Sequence, residues 1–343
     1  MRTKPPLIGL SPQELSEVLK GIIDRPYQVR QLMAWIYDKG VDDFSLMSNL
    51  PASLRQRLAA EFSVQNLIPL QRKSSRDGTV KLLLRGSDGQ SWECVLIPGR
   101  RRLTACLSSQ VGCRLGCAFC ATGAMGYVRN LSPAEMAGQL WHLRRLGLGT
   151  ITNVVFMGMG EPLDNYQNVL AAARIINSTQ GFGLGARHIT ISTAGLVPEI
   201  ERLAREPEQF KLAISLNAAD DRLRSRLMPI NRKYPLAELL PAVAGYAATT
   251  GRMITFEYVL LAGLNDRPED ARNLGRLLRD IPSKVNLIPY NGPASGGFSA
   301  PAPQAVENFR RLLSARHPKV TIRASKGADI SAACGMLKAS CST

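Results

Sequence analysis

An α/β fold, a parallel sheet covered by helices with a smaller helical segment ahead of it, is predicted by three observations. From residue 103 onward, short β-rich runs alternate with helix-like stretches six times in about 190 residues, the pattern of βα units feeding one parallel sheet. Residues 11–63 lack such runs and read as helices only. Hydrophobic residues make up 45% of the 343 and charged residues 20%, which allows a sizeable core and excludes a disordered or collagen-like chain.

The elements follow in order. Ser11-Pro12-Gln13-Glu14 has the spacing of a capping box with proline in the first turn. Leu15, Val18, Leu19 and Ile22 then recur at helical spacing. Two more helices are expected at 30–37 and 54–62, separated by Gly40 and Pro51. This segment suits a small bundle packed on the rest or an RNA-contacting module. The β-rich runs 79–84 and 91–97 flank Asp88-Gly89, a hairpin signal. Arg72, Lys73, Arg76, Lys81, Arg85 and Arg100, Arg101 and Arg102 cluster around it. They form either a solvated face or a phosphate-binding surface.

The strands of the main sheet are expected at 103–108, 153–157, 188–193, 211–216, 254–260 and 284–289. Helices at 132–146 and 165–178 are among those between them. Periodicity does not separate a doubly wound sheet from a barrel, but either places its chemistry beyond the C-terminal ends of the strands. Residues 293–303, rich in Pro, Gly and Ser, read as a flexible loop.

Composition narrows the partners. Lys and Arg number 43 against 27 Asp and Glu, a net charge of +16, which points to a polyanion: nucleic acid first, an anionic membrane second. The seven cysteines are odd in number and three fall between 113 and 120. That distribution argues against a secreted disulfide framework and for a metal or redox site in a reducing compartment. The start, MRTKPPLIGL, carries charge but no apolar core of a signal peptide. No apolar run approaches the ~18 residues of a membrane span. A cytoplasmic protein is expected.

Chemistry concentrates after the first strand of the main sheet. Cys113, Cys117 and Cys120 are spaced C-x3-C-x2-C. A structural zinc site wants four ligands, commonly in paired C-x2-C units. Three thiolates on a four-iron cluster instead leave one iron open to a substrate. The spacing resembles the radical SAM superfamily signature, in which S-adenosylmethionine chelates that iron. Gly158-Met159-Gly160-Glu161-Pro162 follows the second strand and is similar to the SAM-binding "GGE" element of the superfamily. Ser192, Ser215-Leu216-Asn217 and Asn291 are further residues at strand C-termini, all directed to one face of such a fold.

Longer strings sharpen the resemblance: CLSSQVGCRLGCAFCATG (106–123), FMGMGEPLDN (156–165), ITISTAGLVP (189–198), RLMPINRKYPL (226–236), EYVLLAGLND (257–266), VNLIPYN (285–291) and DISAACG (329–335). Together they resemble the RlmN and Cfr group of radical SAM RNA methyltransferases. The resemblance implies a partial (β/α)6 radical SAM barrel (103–343) with a catalytic-cysteine segment at its C-terminus. It also implies an N-terminal helical accessory domain that binds RNA (1–63) and a basic β-hairpin linker (64–102). It implies a [4Fe-4S] cluster on Cys113, Cys117 and Cys120. S-adenosylmethionine, two per turnover, would be bound by Gly160, Glu161, Ser192, Ser215, Leu216, Asn217 and Asn291.

C2 of adenine is electron-poor, so attack on the sulfonium is closed to it. The resemblance implies that Cys334 first accepts a methyl group. A 5′-deoxyadenosyl radical then takes hydrogen from that methyl, and the carbon joins the adenine. Cys106 attacks the sulfur, releases the product and leaves a disulfide for a thiol reductant. Glu93, thirteen residues before Cys106 and on one face of its strand with Val95 and Ile97, is the candidate base. The substrates implied are 23S rRNA and tRNA near the anticodon. An electron donor is also implied, with no membrane partner, and a monomer is expected. Family members commonly have His where this chain has Asn217, which anticipates a retuned contact. Cys94 and Cys341 receive no role. The alternatives are a Cfr-type adenine-C8 methyltransferase, a radical SAM enzyme that transfers no methyl group, and a non-catalytic RNA-binding metalloprotein.

Overall fold

The structure is a computed structural model that describes residues 4–23, 25–292, 297–317 and 319–338. Cys341 and the start of the 293–303 loop lie outside the described residues.

The chain opens with α1 (Pro12–Val18), α2 (Pro26–Met33) and α3 (Ala52–Glu61). Both halves of the capping box form: Ser11 Oγ accepts from Glu14 N at 3.2 Å and Glu14 Oε2 from Ser11 N at 2.7 Å. The helix expected at 30–37 is split, because α2 passes into a π-turn at Ala34–Asp38.

Three antiparallel strands follow, β1 (Ile68–Ser74), β2 (Val80–Arg85) and β3 (Ser91–Pro98). They run on into β4 (Leu103–Leu107) through the pairing of Val95 with Cys106. After β4 come a two-stranded flap, β5 (Gln110–Gly112) and β6 (Tyr127–Asn130), and the parallel strands β7 (Asn153–Phe156), β8 (Ile189–Thr193), β9 (Lys211–Ser215), β10 (Ile254–Leu260), β11 (Ser283–Pro289) and β12 (Val320–Ile322). The order β1-β2-β3-β4-β7-β8-β9-β10-β11-β12 never reverses. Successive strands are neighbours, so the sheet is singly wound and open, a partial barrel rather than a doubly wound sheet. β12 is a further parallel strand beyond the six expected; three residues are too short to show a period.

The helices are α4 (Ala121–Ala124), α5 (Pro133–Arg144), α6 (Tyr166–Asn177), α7 (Val197–Leu203), α8 (Asp221–Leu227), α9 (Leu236–Thr250), α10 (Pro268–Leu277) and α11 (Pro303–Ser314). Two cores result. The larger joins the sheet to the covering helices, with Phe156, Ile191, Ile214 and Phe256 among its members. The smaller holds Leu15, Leu32, Ile36 and Leu58 from the N-terminal helices together with Trp141 of α5 and Ile175 of α6. Trp141 Nε1 donates to Ile36 O at 3.1 Å.

The basic cluster is revised at one position. Arg72, Lys73, Arg76, Arg85 and Arg100–Arg102 are exposed, but Lys81 is buried and pairs with Glu93. On β2 both faces are covered, so a cation there needs an internal counter-charge.

Candidate active site

The cysteine loop is shaped by close backbone approach. At Gly112, φ is +72° and an added Cβ would fall 1.9 Å from Gly126 O. Cys113 N donates to that same carbonyl at 2.8 Å. Cys120 caps α4. The loop is then tied at two far points: Ala118 N donates to Leu227 O at 2.9 Å, and Ala121 N to Gly335 O at 2.8 Å. Thr122 Oγ1 adds a bond to Leu337 O at 2.7 Å. The segment bearing Cys334 is therefore stitched directly to the segment bearing the cysteine motif.

These contacts enclose one cavity at the C-terminal ends of the strands, with about 1000 Å³ of space, part of it open to solvent. Cys113, Cys117, Cys120, Gly160, Glu161, Ser192, Ser215, Asn217, Asn291 and Cys334 all line it. A smaller cavity adjoins it, lined by Cys106, Cys334, Met157, Asn291 and Arg323. Cys334, Met157, Asn291 and Arg323 belong to both walls.

The donor set fits an iron–sulfur cluster. Burial pushes the Cys113 thiol up to about 12 and pushes Cys117 up as well, the latter raised further by charge on Cys120 and Cys113. Thiols so placed are neutral near pH 7 and become ligands when a cationic group holds their ionised form. Among the described residues, no three His, Cys, Asp or Glu side chains stand where one metal ion could hold them. A polynuclear cluster takes each thiolate on a different iron, so three cysteines on one wall suit it better than a single zinc.

Glu161 is buried, and burial pushes its carboxyl up to about 7. Its Oε1 accepts from Leu163 N at 3.1 Å and its Oε2 from Ala194 N at 2.9 Å. It thus ties the loop after β7 to the loop after β8. Gly160 beside it has φ +98°, and a Cβ there would lie 2.5 Å from Gln110 Cβ.

Asn217 has φ +60°, a left-handed conformation that Asn tolerates. Its Oδ1 accepts from Val259 N at 2.8 Å, and its Nδ2 contacts Met228 Sδ at 3.2 Å. Asn217 therefore helps hold β10 in place. Asn291 Nδ2 donates to Pro289 O at 2.6 Å and also bonds Ser325 Oγ.

Two expected residues are not on a cavity wall. Leu216 is fully buried in the main core. Glu93 is buried on β3, where Oε1 meets Lys81 Nζ at 2.8 Å and Oε2 accepts from Lys338 N at 3.0 Å. Cys94 packs in the core beside it. Cys106 is buried, and burial pushes its thiol up to about 12, with Cys334 adding and Arg323 opposing. Sequence reasoning missed Arg323 and Glu257, which line the main cavity. Glu257 had a signal: Thr255 and Glu257 alternate with Ile254, Phe256 and Tyr258, the period of a strand with one polar face.

A loop with three cysteines spaced C-x3-C-x2-C and a glycine–glutamate turn, at the mouth of an open parallel barrel, define the radical SAM class of enzymes. Residues 107–275 match the radical SAM superfamily model, and residues 6–64 match the model of the ribosomal RNA large subunit methyltransferase N-terminal domain. The "Probable dual-specificity RNA methyltransferase RlmN" of Moorella thermoacetica is 49% identical over 352 residues, covering 98% of each chain. The "Dual-specificity RNA methyltransferase RlmN" of Geobacter sulfurreducens is 48% identical, covering 98% of this chain and 93% of its own. The crystal structure of a radical SAM methyltransferase from Sphaerobacter thermophilus superposes with a TM-score of 0.94 at 46% identity, covering 97% of this chain and 99% of that one. The chain belongs to the RlmN family of radical SAM RNA methyltransferases, a family that implies a [4Fe-4S] cluster and S-adenosylmethionine. No helix among the described residues is long and apolar enough to cross a membrane.

Proposed function

We propose that the enzyme methylates C2 of adenine in 23S rRNA and in tRNA near the anticodon, with Cys334 as the methyl carrier and Cys106 as the thiol that releases the product. The observation that carries this reading is the shared wall: Cys334 borders both the cluster cavity and the small cavity that holds Cys106. A thiol that accepts a carbon in one place and is attacked by a second thiol must be reachable from both sides.

Cys113, Cys117 and Cys120 would hold the cluster. Gly160, Glu161, Ser192, the Ser215–Asn217 segment and Asn291 would bind S-adenosylmethionine, two per turnover. The loaded cofactors supply the methyl group and the hydrogen-abstracting species. Cys334, exposed at the mouth, presents the carbon to the base. Cys106, buried beneath it, is kept from other reactants until the sulfur of Cys334 is its neighbour. Arg323 lies close enough to act electrostatically on both thiols, and at Cys106 it works against the rise that burial causes. Glu93 would take the ring proton; the Lys338 amide covers its Oε2, so the carboxylate becomes available when that segment shifts.

Residues 1–63 would serve as an RNA-binding accessory domain, 64–102 as a basic connection and 103–343 as the catalytic barrel. The exposed arginines support an RNA partner at a net charge of +16. The enzyme would act as a cytoplasmic monomer with an electron donor and a thiol reductant. Mass spectrometry of rRNA and tRNA from a deletion strain should show 2-methyladenine missing in both. Loss of 8-methyladenine instead would replace this reading with the Cfr-type one.

A further inference from the structure

Glu257 occupies an inward register position in the middle of β10, paired with Ser215 on β9 and Asn286 on β11. It lines the main cavity and is only 6% exposed. One oxygen is fixed by an oriented chain: Thr321 Oγ1 donates to Asn286 Oδ1 at 2.6 Å, and Asn286 Nδ2 donates to Glu257 Oε1 at 2.9 Å. The other oxygen, Oε2, is buried and has no hydrogen-bond partner. Buried polar atoms are seldom left in that state unless a water, an ion or a ligand completes them, and this one faces the cavity. The second carboxylate on the cavity wall, Glu161, has a backbone N–H on each oxygen. Arg323 on the same wall lies within electrostatic reach of Glu257 but makes no hydrogen bond to Oε2, so Oε2 is an acceptor held in place with its hydrogen-bond position open.

We propose that Glu257 Oε2 accepts a hydrogen bond from the ribose diol of S-adenosylmethionine, which makes Glu257 a positioning residue for the nucleoside end of the cofactor. The inference rests on the proposed SAM site. In that reading the methionine end would be held at the open iron and by the Gly160–Glu161 turn. The donors left are the ribose hydroxyls and the adenine amine. A hydroxyl gives a carboxylate a short, charge-assisted bond, and an acidic side chain on a ribose hydroxyl is a general device of nucleotide sites. The Thr321–Asn286 chain fixes which oxygen faces the cavity, as partners behind a binding group do.

The test is anaerobic calorimetry on the cluster-loaded protein with S-adenosylhomocysteine, its 2′-deoxy and 3′-deoxy forms, and a form lacking the N6 amine. Wild type should bind at least one deoxy form about tenfold more weakly than the parent, the size of one charged hydrogen bond. Glu257→Gln keeps an oxygen for Asn286, so it should fold. It should bind the parent about tenfold more weakly and no longer distinguish the deoxy form. Equal binding of parent and both deoxy forms by wild type overturns the proposal without any variant. So does wild-type affinity in Glu257→Gln, or a variant that stops distinguishing the N6-lacking form instead. If the parent compound fails to bind wild type at all, the SAM site itself falls, a result distinct from indifference to the hydroxyls.

Discussion

Lys81 Nζ and Glu93 Oε1 lie 2.8 Å apart across β2 and β3, with each side chain only 7% exposed. Lys81 also donates to Ser331 O at 3.0 Å, while Glu93 Oε2 accepts from Lys338 N at 3.0 Å. One buried ion pair thus clamps both sides of the segment that carries Cys334. Glu93→Ala would leave an uncompensated buried ammonium, at a cost of about 3–5 kcal/mol. The double variant Lys81→Met, Glu93→Leu should lose much less. Denaturant unfolding followed by circular dichroism measures both. Equal losses would show that the charges do not depend on each other.

The cluster assignment predicts iron and sulfide near four each after anaerobic reconstitution. Replacing Cys113, Cys117 or Cys120 by Ala should remove both. Zinc bound in place of iron under those conditions would defeat the assignment.

The two other cysteines of the site should separate cleanly. Cys334→Ala should keep its iron and make no methylated RNA, since the carrier sulfur is gone. Cys106→Ala should still load the carrier and join it to RNA, then stall. Denaturing gels with labelled RNA should show a shifted band through Cys334 that vanishes in the double variant. Multiple turnover by Cys106→Ala with no such band would leave Cys106 as a core thiol.

The N-terminal helices and the barrel share a core through Trp141, which is 2% exposed. Trp141→Ala should cost about 3–5 kcal/mol, read by thermal unfolding. A loss below about 1 kcal/mol would mean that the helices dock without it.

RNA affinity should fall steeply with salt because bound phosphates release counterions. Replacing Arg100, Arg101 and Arg102, all exposed, by Ala should flatten the logarithmic salt slope, by about 0.7–0.9 for each phosphate that is no longer neutralised. An unchanged slope would remove that turn from the RNA surface.

Much was legible from the sequence by itself. The alternation of strand and helix predicted the parallel sheet, because period and turn residues are local properties. The C-x3-C-x2-C spacing and the glycine–glutamate turn marked the cavity, because loop ligands close in sequence stay close in space. Folding decided the rest. Lys81 reads as one more surface cation until β3 brings Glu93 against it and the 331–338 segment covers both. Cys334 lies more than two hundred residues from the cysteine motif, and tertiary bonds such as Ala121 N to Gly335 O and Thr122 Oγ1 to Leu337 O place it at the same cavity. Glu257 joins that cavity from its register position between β9 and β11, and Arg323 from just past β12, where its backbone N donates to Leu287 O; the alternation around Glu257 marks a polar face without saying what that face meets. Asn217 could be noticed as a departure, but its reason is a positive φ and a bond to β10. Side-chain partners across a sheet follow from how strands are ordered, and strand order is a property of the whole chain.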